Sequence, residues 1–431
     1  RIATTLRAPL QRFATQTLAQ HLRELRGDNV EDGAIVVLDN ASGEVLAWVG
    51  SSGELSQAGE VDAVLARRQP GSTLKPFLYA QALAERRLTA ASLIDDSPAH
   101  IATAGGLYIP QNYDLRFKGW VSARTALASS LNVPAVRTLA MVSPDAFFQE
   151  LQALGLELRE SGGYYGLSLA LGSSEVTLLQ LANAYRALAN GGRLSAVAPP
   201  LVRVKPQPPK WTRVVDPGAA FIVGDILSDP NARARTFGLD SVLATRFWSA
   251  VKTGTSKDMR DNWALGWSER YTVGVWVGNA AGGAMHEVSG SSGAAPMWAA
   301  VMGYLHAHEA SRAPRPPKGV VQAAVRFGPD AATGNPLEAA RSEWFLKGTE
   351  QSLFAIDNEA ASAYASSAGG QKDHKNFMPA HPPTLRIAEP ASGAVVALDP
   401  DIPPANQRLR FVAAGAAPGA PLRWRLDGKL V

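Results

Sequence analysis

The fold and the chemistry of this chain are decided by one stretch, Arg67-Arg68-Gln69-Pro70-Gly71-Ser72-Thr73-Leu74-Lys75-Pro76-Phe77. A Pro-Gly turn precedes Ser72, and Lys75 follows three residues later, where an apolar run with helical spacing begins. Residues at i and i+3 lie on one side of a helix, so the Ser72 hydroxyl and the Lys75 ammonium are expected to meet. The stretch therefore predicts a nucleophile with an amine beside it.

Pro76 restricts where this helix begins. A proline is tolerated in the first helical turn, where its missing N–H has no partner in any case. Ser72 is therefore expected at or near the helix N-terminus, where free backbone N–H groups favour developing negative charge. The Ser-x-x-Lys pattern recurs at Ser249 and Lys252, but that pair is predicted on a strand, where i and i+3 point to opposite faces. We assign the recurrence no role.

Composition limits the function classes. The chain has 431 residues, a formal net charge of +4 and no cysteine, which excludes disulfides and thiolate metal sites. The 7 histidines are scattered and there is no Lys/Arg block, so neither a metal site nor nucleic-acid binding is expected, and no cofactor is predicted. No apolar run is long enough to predict a membrane span. The chain begins at Arg1 in a helical pattern, so we expect a fragment whose upstream part was removed.

The pattern of apolar residues predicts an α+β domain with a central antiparallel sheet covered by helices. Residues 33–50 have two apolar runs around an Asn/Ser/Gly turn, which is typical of a β-hairpin. This hairpin is the expected partner of later strands, predicted at Phe247–Thr255, Trp263–Trp267 and Tyr271–Val277. Helices are predicted at 122–141, 144–154 and 173–192, the last one capped by Ser173 or Ser174.

Changes in composition divide the chain into four predicted segments. Residues 1–30 are a linker helix and residues 31–310 the main domain. Residues 311–380 are a linker or peripheral segment, rich in Pro, Arg and Gly at one end and without periodicity at the other. Residues 381–431 are a small, truncated all-β module that resembles part of a β-sandwich, with short strands predicted at Thr384–Ile387, Ala394–Leu398, Arg408–Ala413 and Leu422–Leu426.

We interpret three acidic residues, Asp95, Asp96 and Glu175, as structural and not as catalytic. Asp95 and Asp96 precede Ser97-Pro98, a sequence typical of a turn, so we interpret them as turn formers and not as an acid–base pair. Glu175 is assigned to the first turn of its predicted helix and not to catalysis.

Two further motifs change the interpretation of Ser72. Ser130-Leu131-Asn132 offers a hydroxyl and a carboxamide at a helix-to-loop boundary, and Lys252-Thr253-Gly254-Thr255 closes a predicted strand. On that strand Lys252 and Gly254 face the same way, and Gly254 is expected to let a ligand backbone lie close to the edge. Ser-x-x-Lys, Ser-x-Asn and Lys-Thr-Gly, in this order, form a motif set of penicillin-binding proteins and serine β-lactamases.

The context of these motifs resembles class A penicillin-binding proteins, and within that class the 1C group, over essentially the whole chain. The segments similar to the class are Ser122–Leu127, Ser129–Val136, Ala170–Gly172, Ala189–Gly192 and Gly274–Asn279. The segments similar to the 1C group are Gly71–Phe77, Arg260–Trp263, Glu343–Leu346, Gly348–Glu350 and the β-rich tail. The resemblance implies the transpeptidase fold shared with serine β-lactamases. The anchor and glycosyltransferase that such proteins carry are expected upstream.

The catalytic roles can be argued from the residues themselves. An acyl-transfer serine needs a base, and no histidine is near Ser72 in the sequence, so Lys75 is the predicted base, with a pKa lowered by burial and by Lys252. Ser130 is predicted to relay a proton, as general acid, to the leaving nitrogen. Asn132 is expected to hold the Lys75 amine and an amide of the substrate.

Substrate binding is assigned to the strand that ends at Thr255. Lys252 with Thr253 and Thr255 is expected to bind a carboxylate, which favours a peptide with a free C-terminus as acyl donor. The backbone N–H groups of Ser72 and Thr255 are the predicted oxyanion hole.

The resemblance implies the remaining chemistry. A stem peptide ending in D-Ala-D-Ala acylates Ser72, D-alanine leaves, and the amine of a neighbouring strand takes the acyl group; β-lactams acylate the same serine. It also implies a place at the periplasmic face of the inner membrane, a role in cell-wall synthesis and cell shape, and cell-wall synthesis proteins as partners of the C-terminal module.

Two alternative functions stay open at this point. One is a D,D-carboxypeptidase, which passes the acyl group to water, and the other is a non-catalytic penicillin-binding sensor or scaffold. A class A β-lactamase is disfavoured because its deacylation base would need a Glu-x-x-x-Asn loop, and Glu175 is followed four residues later by Leu179.

Overall fold

The structure is a computed structural model, and it divides the chain into two compact units, Arg1–Ala368 and Gly369–Val431. In the larger unit it describes residues 3–99, 101–103, 106–198, 208–238, 240–330 and 333–356. In the smaller unit it describes residues 386–389, 412–414, 423–426 and 429–430. Among all these residues, no helix combines the length and the apolar character that crossing a membrane requires.

The larger unit contains both strands and helices along its whole length. Its strands are β1 Asp32–Asp39, β2 Val45–Val49, β3 Leu93–Asp96, β4 Ile101–Thr103, β5 Gly106–Tyr108, β6 Gly119–Ser122, β7 Arg193–Leu194, β8 Thr212–Arg213, β9 Ala250–Thr255, β10 Asp261–Trp267, β11 Tyr271–Gly278, β12 Val320–Phe327, β13 Arg341–Leu346 and β14 Leu353–Phe354. Its helices are α1 Ala8–Glu24, α2 Lys75–Ala84, α3 Ala123–Ala128, α4 Asn132–Val142, α5 Pro144–Ala153, α6 Gly162–Tyr165, α7 Leu178–Ala189, α8 Pro217–Ser228, α9 Pro230–Phe237 and α10 Ala294–Leu305.

The centre of this unit is a five-stranded antiparallel sheet in the order β2-β1-β11-β10-β9. The predicted hairpin is β1 and β2, and β1 pairs with β11 along its whole length, from Asp32 opposite Gly278 to Asp39 opposite Tyr271. The expected partnership between the hairpin and the later strands is therefore confirmed. The strand β9, which carries the Lys-Thr-Gly motif, is an edge of the sheet.

Helices cover both faces of this sheet, which is why β1 is an almost uninterrupted apolar run. Ala34, Val36 and Leu38 face a core built with α2, α4, α7 and α8, while Ile35 and Val37 face a core built with α1 and α10. The alternation follows from the two-residue period of a strand. The α+β prediction with a covered antiparallel sheet is confirmed.

The first helix is an integral layer of this fold. Leu10, Ala14, Leu18 and Leu22 of α1 are buried in the core beneath the hairpin. Gly33 lies so close to Leu18 that a Cβ there would stand 2.5 Å from the Leu18 Cδ1. The segment predicted as a linker helix is thus packed as part of the domain, while the domain boundaries stay a prediction.

The segment 311–380, predicted as a linker or peripheral region, contains a second sheet. Strands β13, β12 and β14 pair side by side, and Val325, Phe327 and Phe345 form a small core with Ala91. The buried Glu343 on β13 joins this sheet to α3 through Arg124. Pro and Arg are frequent between residues 312 and 317, and this composition leads to the prediction of a linker where the strand β12 follows.

Two helix predictions differ from the structure in ways that matter for the site. The predicted helix 122–141 is interrupted at Ser129–Leu131, between α3 and α4. The helix predicted at 173–192 begins at Leu178, because Thr177 and Gln180 form a capping box. Glu175 therefore lies outside the helix and not in its first turn.

The smaller unit contains only short strand pairs among its described residues. β15 Arg386–Glu389 pairs antiparallel with β16 Val412–Ala414, and β17 Arg425–Leu426 pairs antiparallel with β18 Lys429–Leu430. These strands overlap three of the four predicted for the tail. The predicted strand Ala394–Leu398 lies outside the described residues.

Candidate active site

Ser72 lies in a short 3-10 helix, Gly71–Leu74, that leads directly into α2. Pro76 occupies the first turn of α2, so the serine stands at the helix start, as the sequence predicted. Gly71 has a φ of 55°, and a Cβ at this position would lie 2.5 Å from the carbonyl oxygen of Thr255. Only glycine combines this left-handed backbone with such a close approach to β9, so Gly71 brings Ser72 against the edge of the sheet.

The turn before Ser72 and the backbone just after it are held by two aromatic side chains. The Trp263 indole N–H donates to the Gln69 carbonyl at 2.8 Å, and the Tyr185 hydroxyl donates to the Thr73 carbonyl at 2.7 Å. Both rings belong to the layers that flank the turn, since Trp263 is on β10 and Tyr185 on α7. The backbone around Ser72 is thereby fixed by the core of the domain.

Lys75 is completely buried and surrounded by backbone and side-chain oxygens. Its Nζ donates to the carbonyl oxygens of Ser130 at 2.7 Å and Leu131 at 3.1 Å, and to Asn132 Oδ1 at 2.7 Å. These acceptors match the three N–H groups of an ammonium. Among the described residues Nζ makes no hydrogen bond to Ser72, so the contact expected from the i, i+3 spacing is not formed, because the Ser130 loop takes its donors.

The pKa of Lys75 is set by opposing effects. Burial lowers it well below its ordinary value, the charge of Lys252 lowers it further, and the carboxylate of Asp96 raises it. The three acceptors favour the charged form, whereas burial favours the neutral amine. The net effect is a lowered pKa, because desolvation is the largest effect at this fully buried amine.

Ser130 joins the two lysines of the site. Lys252 Nζ donates to Ser130 Oγ at 2.7 Å and to the Thr253 carbonyl at 2.8 Å, while the Ser130 carbonyl accepts from Lys75. Ser130 has a φ of 60°, which lets the chain turn between α3 and α4 and presents both its hydroxyl and its carbonyl to the site. A non-glycine residue in this conformation is strained, and such strain often accompanies function.

Burial lowers the pKa of Lys252 to about 7, and the charge of Arg233 acts in the same direction. The folded protein therefore releases this proton below the value of 10.5 at which a free lysine does. Between pH 7 and pH 10 the unfolded chain binds more protons, so the free energy of unfolding rises with pH, by about 1.4 kcal/mol per pH unit for this group.

We expect Lys252→Met to remove this contribution. The difference in unfolding free energy between the wild type and the variant should shift in favour of the wild type as pH rises from 7 to 10. Urea unfolding of both proteins at several pH values measures that difference. A difference that stays constant over this range would contradict the burial of a readily deprotonated Lys252.

The structure agrees with one prediction for the Lys-Thr-Gly strand and differs from two others, which concern Gly254 and the Thr255 hydroxyl. Lys252 and Gly254 face the same side, as expected for a strand. However, a Cβ at Gly254 would lie 2.5 Å from the Pro70 carbonyl oxygen, so this glycine makes room for the turn before Ser72 and not for a ligand backbone. The Thr255 hydroxyl donates to Asn262 Oδ1 at 3.2 Å and accepts from the Gly290 N–H at 3.0 Å, so its proton is already used within the protein.

Two buried residues that the sequence analysis did not assign to the site lie behind it. Asn112 donates through Nδ2 to both carboxylate oxygens of Asp96 at 2.8 Å, and accepts through Oδ1 from the backbone N–H of Asn132 at 2.8 Å. The interpretation of Asp95 and Asp96 as turn formers is wrong, because both are on β3 and Asp96 is fully buried. Asp95 and Asp96 are adjacent and chemically identical, so the sequence does not indicate that Asp96 is buried while Asp95 lies near the surface.

The residues of the three motifs thus converge. The site combines a serine at a helix start, a buried amine, a second amine bridged to the first by Ser130, and an edge strand. These groups are the ones that acyl transfer through a serine ester requires. Over the residues described, no group of three or more His, Cys, Asp or Glu side chains could hold a metal ion.

Comparison with known families gives matches to both units. Residues 33–302 match the penicillin binding protein transpeptidase domain, and residues 375–431 match the Penicillin-Binding Protein C-terminus Family. Penicillin-binding protein 1C of Escherichia coli K12 is 37% identical over 301 residues, which cover 69% of this chain and 37% of that protein. Penicillin-binding protein 1A of Neisseria meningitidis (strain Z2491) is 32% identical over 309 residues, 67% of this chain and 38% of that protein. The chain therefore spans well under half the length of these relatives.

Solved structures share the fold. Penicillin-binding protein 1A of Haemophilus influenzae superposes with a TM-score of 0.63 at 24% identity, over 74% of this chain and 54% of that one. The PonA1 protein of Mycobacterium tuberculosis, in complex with penicillin V, superposes with a TM-score of 0.61 at 23% identity, over 74% of this chain and 89% of that one. At these identities the likeness concerns the fold alone.

Proposed function

This chain belongs to the penicillin-binding protein transpeptidase family, and from that premise we propose that it is a serine D,D-transpeptidase that cross-links the stem peptides of peptidoglycan. The observation that carries the proposal is the bridge Lys252–Ser130–Lys75 beside the short helix Gly71–Leu74 that carries Ser72. It brings the three sequence motifs into one hydrogen-bonded group.

In the proposed acylation step the Ser72 Oγ attacks the carbonyl carbon between the two D-alanines. The Ser72 proton goes to the neutral amine of Lys75, whose pKa is lowered by burial. As the C–N bond breaks, Ser130 gives its proton to the leaving nitrogen and is reprotonated from Lys75. Because Ser130 Oγ accepts from Lys252, its own hydrogen is left to point at the substrate.

The second step releases the enzyme. The amine of a neighbouring stem peptide attacks the ester carbon, its proton is taken by the same lysine and serine relay, and the bond to Ser72 Oγ breaks with the serine hydroxyl restored. The overall change is one amide bond exchanged for another, with D-alanine as the product released. A β-lactam acylates Ser72 in the same manner. Its ring opens as the C–N bond breaks, but the leaving nitrogen stays covalently attached to the acyl group.

Binding and transition-state roles complete the proposal. Lys252 and Thr253 bind the terminal carboxylate, Asn132 an amide of the donor, and Gly254 shapes the strand edge. The backbone N–H groups of Ser72 and Thr255 form the oxyanion hole; in serine proteases the loss of one such donor costs about 3–4 kcal/mol of transition-state stabilisation. We assign Thr255 its contribution through the backbone, because its hydroxyl proton is used by Asn262.

We extend the proposal to the setting of the enzyme. The substrate is cell-wall peptidoglycan, so the domain acts at the periplasmic face of the inner membrane. The C-terminus family match at 375–431 supports a separate C-terminal module, close to the predicted 381–431, which is a candidate for binding cell-wall synthesis proteins. The domain division 1–30, 31–310, 311–380 and 381–431 is kept as a proposal in which α1 packs on the main domain.

An exchange reaction tests the function. The chain is incubated with a stem-pentapeptide analogue and a labelled D-amino acid, and the peptide products are separated by mass. Incorporation of the label at the C-terminus, absent in a Ser72→Ala variant, is the expected result. Release of free acid alone would favour a carboxypeptidase, and a stable adduct without turnover would favour a penicillin-binding sensor. Exchange that persists in Ser72→Ala would contradict the proposal.

A further inference from the structure

We propose that Asp96 and Asn112 are positioning residues of the acyl-transfer site, which fix Asn132 and the Ser130 loop around the Lys75 amine. The proposal rests on the proposed function, because it concerns the same site. It adds two residues that are not part of the three motifs and that reach the site from β3 and from the loop before β6.

The side-chain oxygen of Asn112 holds the start of α4. Its Oδ1 accepts from the backbone N–H groups of Asn132 at 2.8 Å and Val133 at 3.4 Å. The first N–H groups of a helix have no partner inside the helix, and the side chain of the N-cap residue Leu131 has no hydrogen-bond acceptor. Asn112 therefore caps α4 from a distant part of the chain.

The other end of Asn112 is fixed by Asp96. Nδ2 donates to both Asp96 carboxylate oxygens at 2.8 Å and to the Arg116 carbonyl at 2.9 Å, and the Lys118 N–H donates to Asp96 Oδ2 at 2.8 Å. Asp96 is fully buried, yet no cation stands within ion-pair distance of it in the part of the chain that the structure describes. A buried carboxylate without a cation is costly, and the hydrogen bonds from Asn112 and from the Lys118 N–H offset part of that cost.

These contacts extend to Lys75, the proposed general base. Asn132 Oδ1 accepts from Lys75 Nζ at 2.7 Å, while Asn132 Nδ2 donates to the Gln111 carbonyl at 2.8 Å. Gln111 and Asn112 thus hold Asn132 by its side chain and by its backbone. A shift of Asn112 would move Asn132 together with the Ser130 and Leu131 carbonyls that also contact Lys75.

Asp96 also acts on Lys75 through its charge. Its carboxylate raises the pKa of Lys75, against burial and the charge of Lys252 on β9. The other titratable groups near Asp96 are Lys118 and Asp114, from the loop before β6, and Tyr79 of α2. Removing the negative charge of Asp96 should therefore lower the pKa of Lys75 and make the neutral amine available at lower pH.

The test measures the second-order rate of acylation of the whole chain by a fluorescent penicillin as a function of pH. The variants are Asn112→Ala and Asp96→Asn, and Asp95→Asn is the matched control, because Asp95 is next to Asp96 but pairs with Arg137 near the surface. Thermal unfolding reports whether each variant is folded.

We expect Asn112→Ala to lower the rate by on the order of 10²-fold, the effect of misplacing a reacting group by about 1 Å. Asp96→Asn should move the acidic limb of the pH profile to lower pH, and Asp95→Asn should change neither. If Asn112→Ala does not fold, the pH profile of Asp96→Asn decides alone. Folded variants with the wild-type rate and pH profile would overturn the inference, whereas a wild-type chain that takes up no penicillin at Ser72 would overturn the proposed function instead.

Discussion

Replacing Lys75 with methionine is expected to lower the rate of acylation by about 10²–10⁴-fold, the contribution of a positioned general base. Methionine is close to lysine in length and suits a buried position, so the change removes the amine with little change in volume. The rate of acylation by a fluorescent penicillin under single-turnover conditions measures the effect.

Two further variants show that the effect comes from the base. Lys75→Arg keeps a positive charge that is never lost at ordinary pH, so it should fail as the methionine variant does if a neutral amine is needed. Lys257→Met, at an exposed lysine between β9 and β10, is the matched control and should react as the wild type does. A Lys75→Met protein that is acylated at the wild-type rate would show that another group removes the Ser72 proton.

Replacing Arg124 with methionine is expected to lower the free energy of unfolding by about 3–5 kcal/mol, the cost of removing one member of a buried ion-pair network. Arg124 Nε donates to Glu343 Oε2 at 2.8 Å, Nη1 to Asp229 Oδ2 at 3.2 Å, and Nη2 to Asp225 and to the other Glu343 oxygen. Burial raises the pKa of Glu343, but the hydrogen bond and charge of Arg124 outweigh it and hold this pKa below its ordinary value.

The position of Arg124 makes this loss informative about the site as well. Arg124 is on α3, which ends just before Ser130, and its partner Glu343 is on β13 of the second sheet. Among the residues that the structure describes, the ion pair that would remain at the buried Glu343 without Arg124 is the one with Arg341 at 3.0 Å. Urea unfolding measures the loss, and Arg270→Met is the matched control, because its pair with Glu309 lies at the surface and is worth about 0–1 kcal/mol. Equal effects of the two changes would contradict the structural role of Arg124.

Much of the fold follows from local pattern. The hairpin, the three later strands and their antiparallel pairing are visible as apolar runs separated by turn residues, and the order of the three motifs identifies the family. The Ser-Leu-Asn motif indicates a helix-to-loop boundary near Ser130, but the apolar period continues from α3 into α4 and gives no sign of a left-handed residue at Ser130. The capping box at Thr177 and Gln180 was present in the sequence and outranks the serines chosen as caps.

What the sequence could not reveal depends on contacts between distant parts of the chain. Asp96 differs from Asp95 through its contacts with Asn112, sixteen residues away, and with the Lys118 N–H, which make it a buried hydrogen-bonded carboxylate. The reason for a glycine at position 254 is likewise the Pro70 carbonyl, which lies against it only once β9 and the Ser72 turn have met. Local propensity contains no information on either contact.

The central claim is that Ser72 is the residue acylated by the donor. The most direct test is mass spectrometry of the chain after reaction with a penicillin, followed by digestion to locate the adduct. The account predicts one added penicillin mass, confined to the peptide that contains Ser72 and lost in Ser72→Ala. An adduct on any other peptide, or the same adduct in Ser72→Ala, would contradict it.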